Sequence, residues 1–103
     1  MKFTNVQWTY GIIRASGAME TKFSIGPLAP EEIERILGGT YELMPLMDST
    51  VLAVRKDRDE ALLPPNPHYQ NQVRGDIVLG KIHAETGEFV GVLGIEVGGE
   101  KKQ

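Results

Sequence analysis

Apolar and polar residues alternate along the first part of the chain, over residues 3–14. Side chains at every second position share one face of a β-strand, so this pattern predicts a strand with an apolar face and a polar face. Trp8 and Tyr10 fall on the apolar face. Large aromatics at this spacing are typical of a core, and an exposed aromatic interface is the alternative. A turn of small residues at 15–18 and a short strand at 21–25 complete a predicted hairpin.

Residues 30–39, PEEIERILGG, have the clearest local pattern in the chain. Pro30 suits the first position of a helix, where a missing N–H group costs nothing. The two glutamates that follow lie near the positive end of the helix dipole. Three apolar residues form one stripe: Ile33, Ile36 and Leu37. The Gly-Gly pair after them is a typical C-cap. We therefore predict a helix of about two turns that needs a sheet to dock on.

The remainder of the chain predicts four more strands, at residues 41–46, 50–55, 76–84 and 88–97. A turn at Met47-Asp48-Ser49 joins the first two, and Glu85-Thr86-Gly87 makes a hairpin of the last two. Adjacent strands without alternating helices predict an α+β fold. We expect an antiparallel or mixed sheet of about six strands with one short helix packed on one face. Residues 1–97 would form a single domain, and residues 98–103 a polar tail.

Charge and composition restrict the classes of partner. The chain has 103 residues, 41% of them apolar, and a net charge of −3. Nucleic-acid binders need a basic surplus, so we expect no nucleic-acid partner. No segment approaches the roughly 20 apolar residues of a membrane helix. The absence of cysteine excludes disulfides and thiolate zinc sites and fits a reducing compartment. We expect a soluble, cytoplasmic protein.

The segment at residues 63–75, LPPNPHYQNQVRG, is the best candidate for a binding site, because it is long, proline-rich and without periodicity. The candidate residues are Asn66, His68, Tyr69, Gln70 and Arg74. Amide, aromatic and guanidinium groups in such a loop could recognise a nucleotide or a protein surface. The alternative is that Asn66 forms an Asx turn and the remaining side chains are merely solvated.

Candidate catalytic and metal-binding residues are few. His83 and Glu85 share one side of a predicted strand end, and with His68 they would supply three metal ligands. Two imidazoles and no thiolate are a small set, so we expect no metal and no cofactor. No serine lies in a nucleophile-elbow pattern. Asp76, beside a glycine, is typical of a turn cap. We therefore expect a protein that is not an enzyme.

Residues 33–80 carry a resemblance to a known group of sequences. The pieces ILGGTYELMP, VLAVRKD, LPPN and DIVLG follow in an order that resembles a family of short proteins of unknown function from bacteriophages, plasmids and other mobile elements. In that family an arginine often follows the PxN loop directly. Here Pro67 and His68 follow Asn66, and an arginine comes only at Arg74. The resemblance implies an origin in a mobile element.

These observations favour a non-enzymatic binding protein of a phage or mobile element. It would modulate a host system by binding a host protein or by sequestering a small nucleotide-like ligand. A small hydrolase or metal-dependent enzyme is one alternative, and a structural or assembly component is another. A two-turn helix covers only part of a six-stranded sheet, so we also expect a homo-oligomer formed through sheet edges or the N-terminal hairpin.

Overall fold

The computed structural model of the protein describes residues 5–46, 50–69 and 73–97. It has the predicted α+β fold, with a single antiparallel sheet and one helix. The strands are β1 Val6–Ile13, β2 Met19–Ile25, β3 Tyr41–Pro45, β4 Thr50–Arg55, β5 Ile77–Ile82, β6 Phe89–Val90 and β7 Leu93–Glu96, and the helix is α1 Pro30–Leu37. The turn predicted at 47–49 and the tail predicted at 98–103 lie outside the described residues.

The sheet has the order β2-β1-β5-β4-β3, and β6 and β7 pair with the inner strands β5 and β1. The seven strands agree broadly with the prediction of about six; the additional strand arises because the predicted strand 88–97 is divided in two. β6 pairs with β5 and β7 pairs with β1, so the chain changes neighbours at Gly91. A Cβ atom there would collide with the backbone of Thr9. The close approach of two backbones is what breaks the strand.

Helix α1 begins and ends where the sequence predicts. Pro30 is its first residue, and Gly38 ends it in the left-handed conformation with φ 88°. The N–H group of Gly38 donates to the carbonyl oxygen of Glu34, which satisfies one of the last free acceptors of the helix. Ile33 and Leu37 are buried against the sheet. At eight residues, this one α-helix of the described chain is too short to cross a bilayer.

The helix covers the first face of the sheet, which bears the even-numbered side chains of β1. Trp8 and Tyr10 are buried there, as predicted for core residues. The core on this side consists of Trp8, Tyr10, Leu28, Ile33, Leu37, Ala53, Val78 and Val90. The Tyr10 hydroxyl accepts a hydrogen bond from the Leu28 N–H group at 3.0 Å, which places the start of the helix over β1. Burial raises the pKa of Tyr10.

A second core lies on the opposite face of the same sheet. It consists of Ile13, Leu52, Val54, Val73 and Ile77, with Met44, Tyr69 and Leu79 packed at its edge. Val73 and Tyr69 come from the long segment between β4 and β5, so that segment is the cover of this face. The cover extends over the C-terminal end of β1, over β4 and over part of β5. The N-terminal part of β1 and its neighbours β2 and β7 have no such cover among the described residues.

Candidate interaction surface

Asn66 holds the covering segment in place. Its side chain is fully buried, and its Nδ2 donates to the carbonyl oxygens of Ile13, at 3.0 Å, and Gly75, at 3.1 Å. Its Oδ1 accepts from the N–H group of His68 at 3.0 Å, which is the Asx turn given above as the alternative role. The Asn66 amide therefore joins the segment to the end of β1 at Ile13, and it joins the first part of the segment to its last residue, Gly75. These hydrogen bonds occupy both donors and one acceptor of the amide.

The other predicted site residues also contact the chain itself. His68 Nε2 donates to the Gly17 carbonyl oxygen at 2.8 Å, and so links the segment to the β1–β2 turn. Arg74 Nη1 donates to the Leu63 carbonyl oxygen at 2.8 Å. Tyr69 packs against the second core, and burial raises its pKa. Gln70 lies outside the described residues. The geometry thus brings four of the five residues together as parts of a cover.

The start of β5 ties the same region to the first hairpin. Asp76 Oδ1 accepts from the Ala15 N–H group at 2.9 Å, and its Oδ2 accepts from Arg14 at 2.9 Å. This carboxylate caps the β1–β2 turn, as its place beside a glycine predicts. Arg14 also donates to Glu20, and the two carboxylates raise the pKa of the guanidinium.

The three candidate metal ligands are not gathered into one site. His83 Nδ1 accepts from the Glu85 N–H group at 3.2 Å, and its ring meets Trp8 edge-on with centroids 6.3 Å apart. His68 is instead bonded to the β1–β2 turn. Within residues 5–46, 50–69 and 73–97, no three His, Cys, Asp or Glu side chains form a group that could hold a metal ion.

The uncovered part of the second face carries exposed apolar side chains on β2 and β7, on either side of the polar Gln7 and Thr9 of β1. The register places Ile25 of β2 and Ile95 of β7 on either side of Gln7, and Phe23 and Leu93 on either side of Thr9. Paired residues of antiparallel strands point to the same side, so these side chains form two adjacent rows on one face. Met19, opposite Ile13, continues the same face toward the β1–β2 turn. We call Met19, Phe23, Ile25, Leu93 and Ile95 the open patch.

All five side chains of the open patch are exposed, by between 52% and 66%. Together they present on the order of 500 Å² of apolar surface, near the upper end of the largest patch on an ordinary monomer. The charged residues of these strands, Glu20, Lys22 and Glu96, alternate to the first face. Lys22 contacts Glu32 of the helix there, at 3.3 Å. The three strands therefore present no charged side chain on the open face.

Two glycines in the last part of the chain, Gly91 and Gly94, allow other atoms to pack closely against their backbone. The Trp8 ring lies over Gly94, where a Cβ atom would approach the ring to 2.5 Å. Gly91 lets the chain cross from β5 to β1, as described above. Gly94 pairs with Trp8 on the first face, so its neighbours Leu93 and Ile95 alternate to the open side.

Sequence patterns alone did not reveal the open patch. Met19, Phe23 and Ile25 alternate along one strand, which was visible, but the pattern does not say which face of an outer strand is covered. The pairing of β7 with β1 depends on the break at Gly91, and the last strand was predicted as one piece. The patch forms only when β2, near the start of the described chain, and β7, near its end, pair with opposite sides of β1.

No protein-family model matches the chain, and no curated protein or solved structure is significantly similar to it.

Proposed function

We propose that the protein is a non-enzymatic binding protein that acts by docking the open patch on another protein. The observation that carries the proposal is the uncharged, apolar half-face of β2, β1 and β7. Exposed apolar patches of this size, flanked by polar groups, mark interaction sites, and protein–protein contacts are among the main ones. Gln7, Thr9 and Thr21 supply hydrogen-bonding groups among the apolar side chains.

The partner we propose is a protein of a host cell, in whose cytoplasm this protein would act. The resemblance over residues 33–80 is the basis for proposing an origin in a phage or mobile element, and that origin motivates a host component as the partner. Sequestration of a nucleotide-like ligand by the segment 63–75 has weaker support. The polar groups of Asn66, His68 and Arg74 that would contact such a ligand are bonded to the backbone of this chain.

The test compares three versions of the protein as bait in a lysate of a bacterial host. They are the wild type, Phe23→Glu within the open patch, and Leu62→Glu outside it. Leu62 is the matched control because it is also an exposed apolar residue, at 76%. We expect one host protein to be retained in stoichiometric amount by the wild type and by Leu62→Glu, and to be lost with Phe23→Glu. Retention of the same protein by Phe23→Glu would contradict the proposal.

A further inference from the structure

The open patch also has the properties of a self-complementary surface. We infer that in the free protein the open patch is covered by the open patch of a second copy, in a face-to-face homodimer. This inference rests on the proposed function, because it takes the same patch as an interaction surface and names its first occupant. A different protein could then dock only by displacing the second copy.

The first support is the area available. Two open patches facing each other across a two-fold axis would bury on the order of 1,000 Å² from the five side chains of each copy, which reaches the lower limit for a specific interface. Gln7, Thr9 and Thr21 lie among these side chains and would add polar area. Phe23, with the largest of the five side chains, lies between Met19 and Ile25 along β2 and would be the main anchor, as aromatic residues often are in interfaces.

The second support is electrostatic. A two-fold axis brings each surface against an identical surface, so any net charge on it would repel its own copy. Strands β2, β1 and β7 have no charged side chain on the open face, because Glu20, Lys22 and Glu96 alternate to the other side. Lys81, on the same face of β5, pairs with Thr50 outside the three strands and would lie in the rim.

The third support is the geometry of sheets. Two sheets that pack face to face lie about 10 Å apart, with the inward side chains of each filling the space between them. The helix already covers one face, and the segment 63–75 covers half of the other. A second sheet over the remaining half would complete a layered arrangement in which no large apolar surface of the described strands is left in water.

The mass of the full chain in solution tests the inference. Sedimentation equilibrium from low to high micromolar concentration should give a mass that rises toward twice the 11.4 kDa of one chain. Phe23→Glu should raise the dissociation constant by about 30-fold or more, as expected for loss of an interface anchor. The control Leu62→Glu should leave it unchanged. A single-chain mass at every concentration would overturn the inference, and so would a dimer that persists in Phe23→Glu.

A cross-linking experiment tests the geometry without a disruptive change. The chain has no cysteine, so a single introduced one reports on its own position. Thr9 lies between Phe23 and Leu93 at the centre of the patch. We expect Thr9→Cys to be joined to its copy by a bismaleimide of about 10 Å, the spacing of packed sheets. Glu31→Cys, on the exposed start of the helix, should not be cross-linked to a second copy. Equal cross-linking of both variants, or none of Thr9→Cys, would overturn the inference.

These outcomes separate the inference from the proposed function. A single-chain mass together with loss of the host protein in Phe23→Glu would overturn the dimer and leave the docking proposal supported. A dimer lost in Phe23→Glu, with retention of the host protein unchanged by that substitution, would support the dimer and contradict docking through the patch. If Phe23→Glu changes neither the mass nor the retention, both fail. A folded state of each variant is verified by its circular dichroism and melting temperature.

Discussion

The two halves of the second sheet face share strand β1 and differ in what lies over them. The covered half extends from β1 to β5 and β4, and the open half extends from β1 to β2 and β7. On one half, Ile13 and Ile77 are neighbours in the ladder and are buried beneath the segment 63–75, with exposures of 4% and 0%. On the other half, Ile25 and Ile95 flank the same strand β1 and are exposed by 60% and 52%. Isoleucine lies on both halves, and the cover decides which isoleucines belong to the core and which to the surface.

The difference shows what a short irregular segment can do. Among its described residues, Val73 and Tyr69 are the side chains that pack on the second core. Its position is fixed by the polar contacts of Asn66, together with a short 3-10 helix at Pro67–Tyr69 and a backbone bridge between Pro65 and Arg74. Proline restricts the unfolded segment, so ordering it costs less entropy than ordering a flexible loop of equal length. Such a segment covers only the part of the face that its anchors reach, and the side chains on the rest of the face stay exposed in the single chain.

The largest expected contrast comes from one substitution placed in each half. Ile77→Ala should reduce the free energy of unfolding by about 2–5 kcal/mol, because it removes a buried side chain and leaves a cavity. Ile95→Ala should change it by no more than about 0.5 kcal/mol in the monomer, as at an ordinary surface position. Urea unfolding of both variants at concentrations low enough to keep the chain monomeric measures the difference. Equal losses would mean that β7 is covered within the chain itself.

A second contrast separates the anchor of the cover from its periphery. Asn66→Ala should cost about 2–4 kcal/mol, because it leaves the carbonyl groups of Ile13 and Gly75 without their buried donor. His68→Ala should cost under about 1 kcal/mol, since its single hydrogen bond to Gly17 is exposed. Thermal melts of the two variants check this. A small effect of Asn66→Ala would show that the amide is not the anchor and that the other contacts of the segment hold it in place.

The smallest effect expected is a pH dependence from Tyr69, on the covered half. Burial raises its pKa above the ordinary value of 10.0, so the folded state retains a proton that the unfolded state loses in alkaline solution. Its contribution to stability is therefore complete below about pH 10 and is lost as the pH rises through the folded pKa. Tyr10 and Tyr41 share this shift. Tyr69→Phe should make the alkaline loss of stability less steep. An unchanged slope would place Tyr69 in solvent.

Local features of the fold were predictable from the sequence, and the surface was not. The helix Pro30–Leu37, with proline at its start and glycine after it, is encoded within ten residues. Burial of Trp8 follows from alternation along one strand. Coverage of the second face depends instead on contacts between distant segments, such as the amide of Asn66 with the carbonyl of Ile13, 53 residues apart in the chain. A polar residue such as Asn66 in a proline-rich loop is typical of a recognition site. Its hydrogen bonds to distant backbone groups give it an internal structural role instead.

The most direct test of the open patch is its accessibility to hydroxyl radicals as the protein becomes more concentrated. Phe23 and Leu62 are both exposed in the single chain, by 58% and 76%, so the labelling of Leu62 is an internal reference for that of Phe23. We expect the ratio of Phe23 to Leu62 labelling to fall severalfold from dilute to concentrated protein, and to stay low when a docked partner replaces the second copy. A ratio that is constant with concentration and unchanged by any bound partner would contradict the open patch as a binding surface.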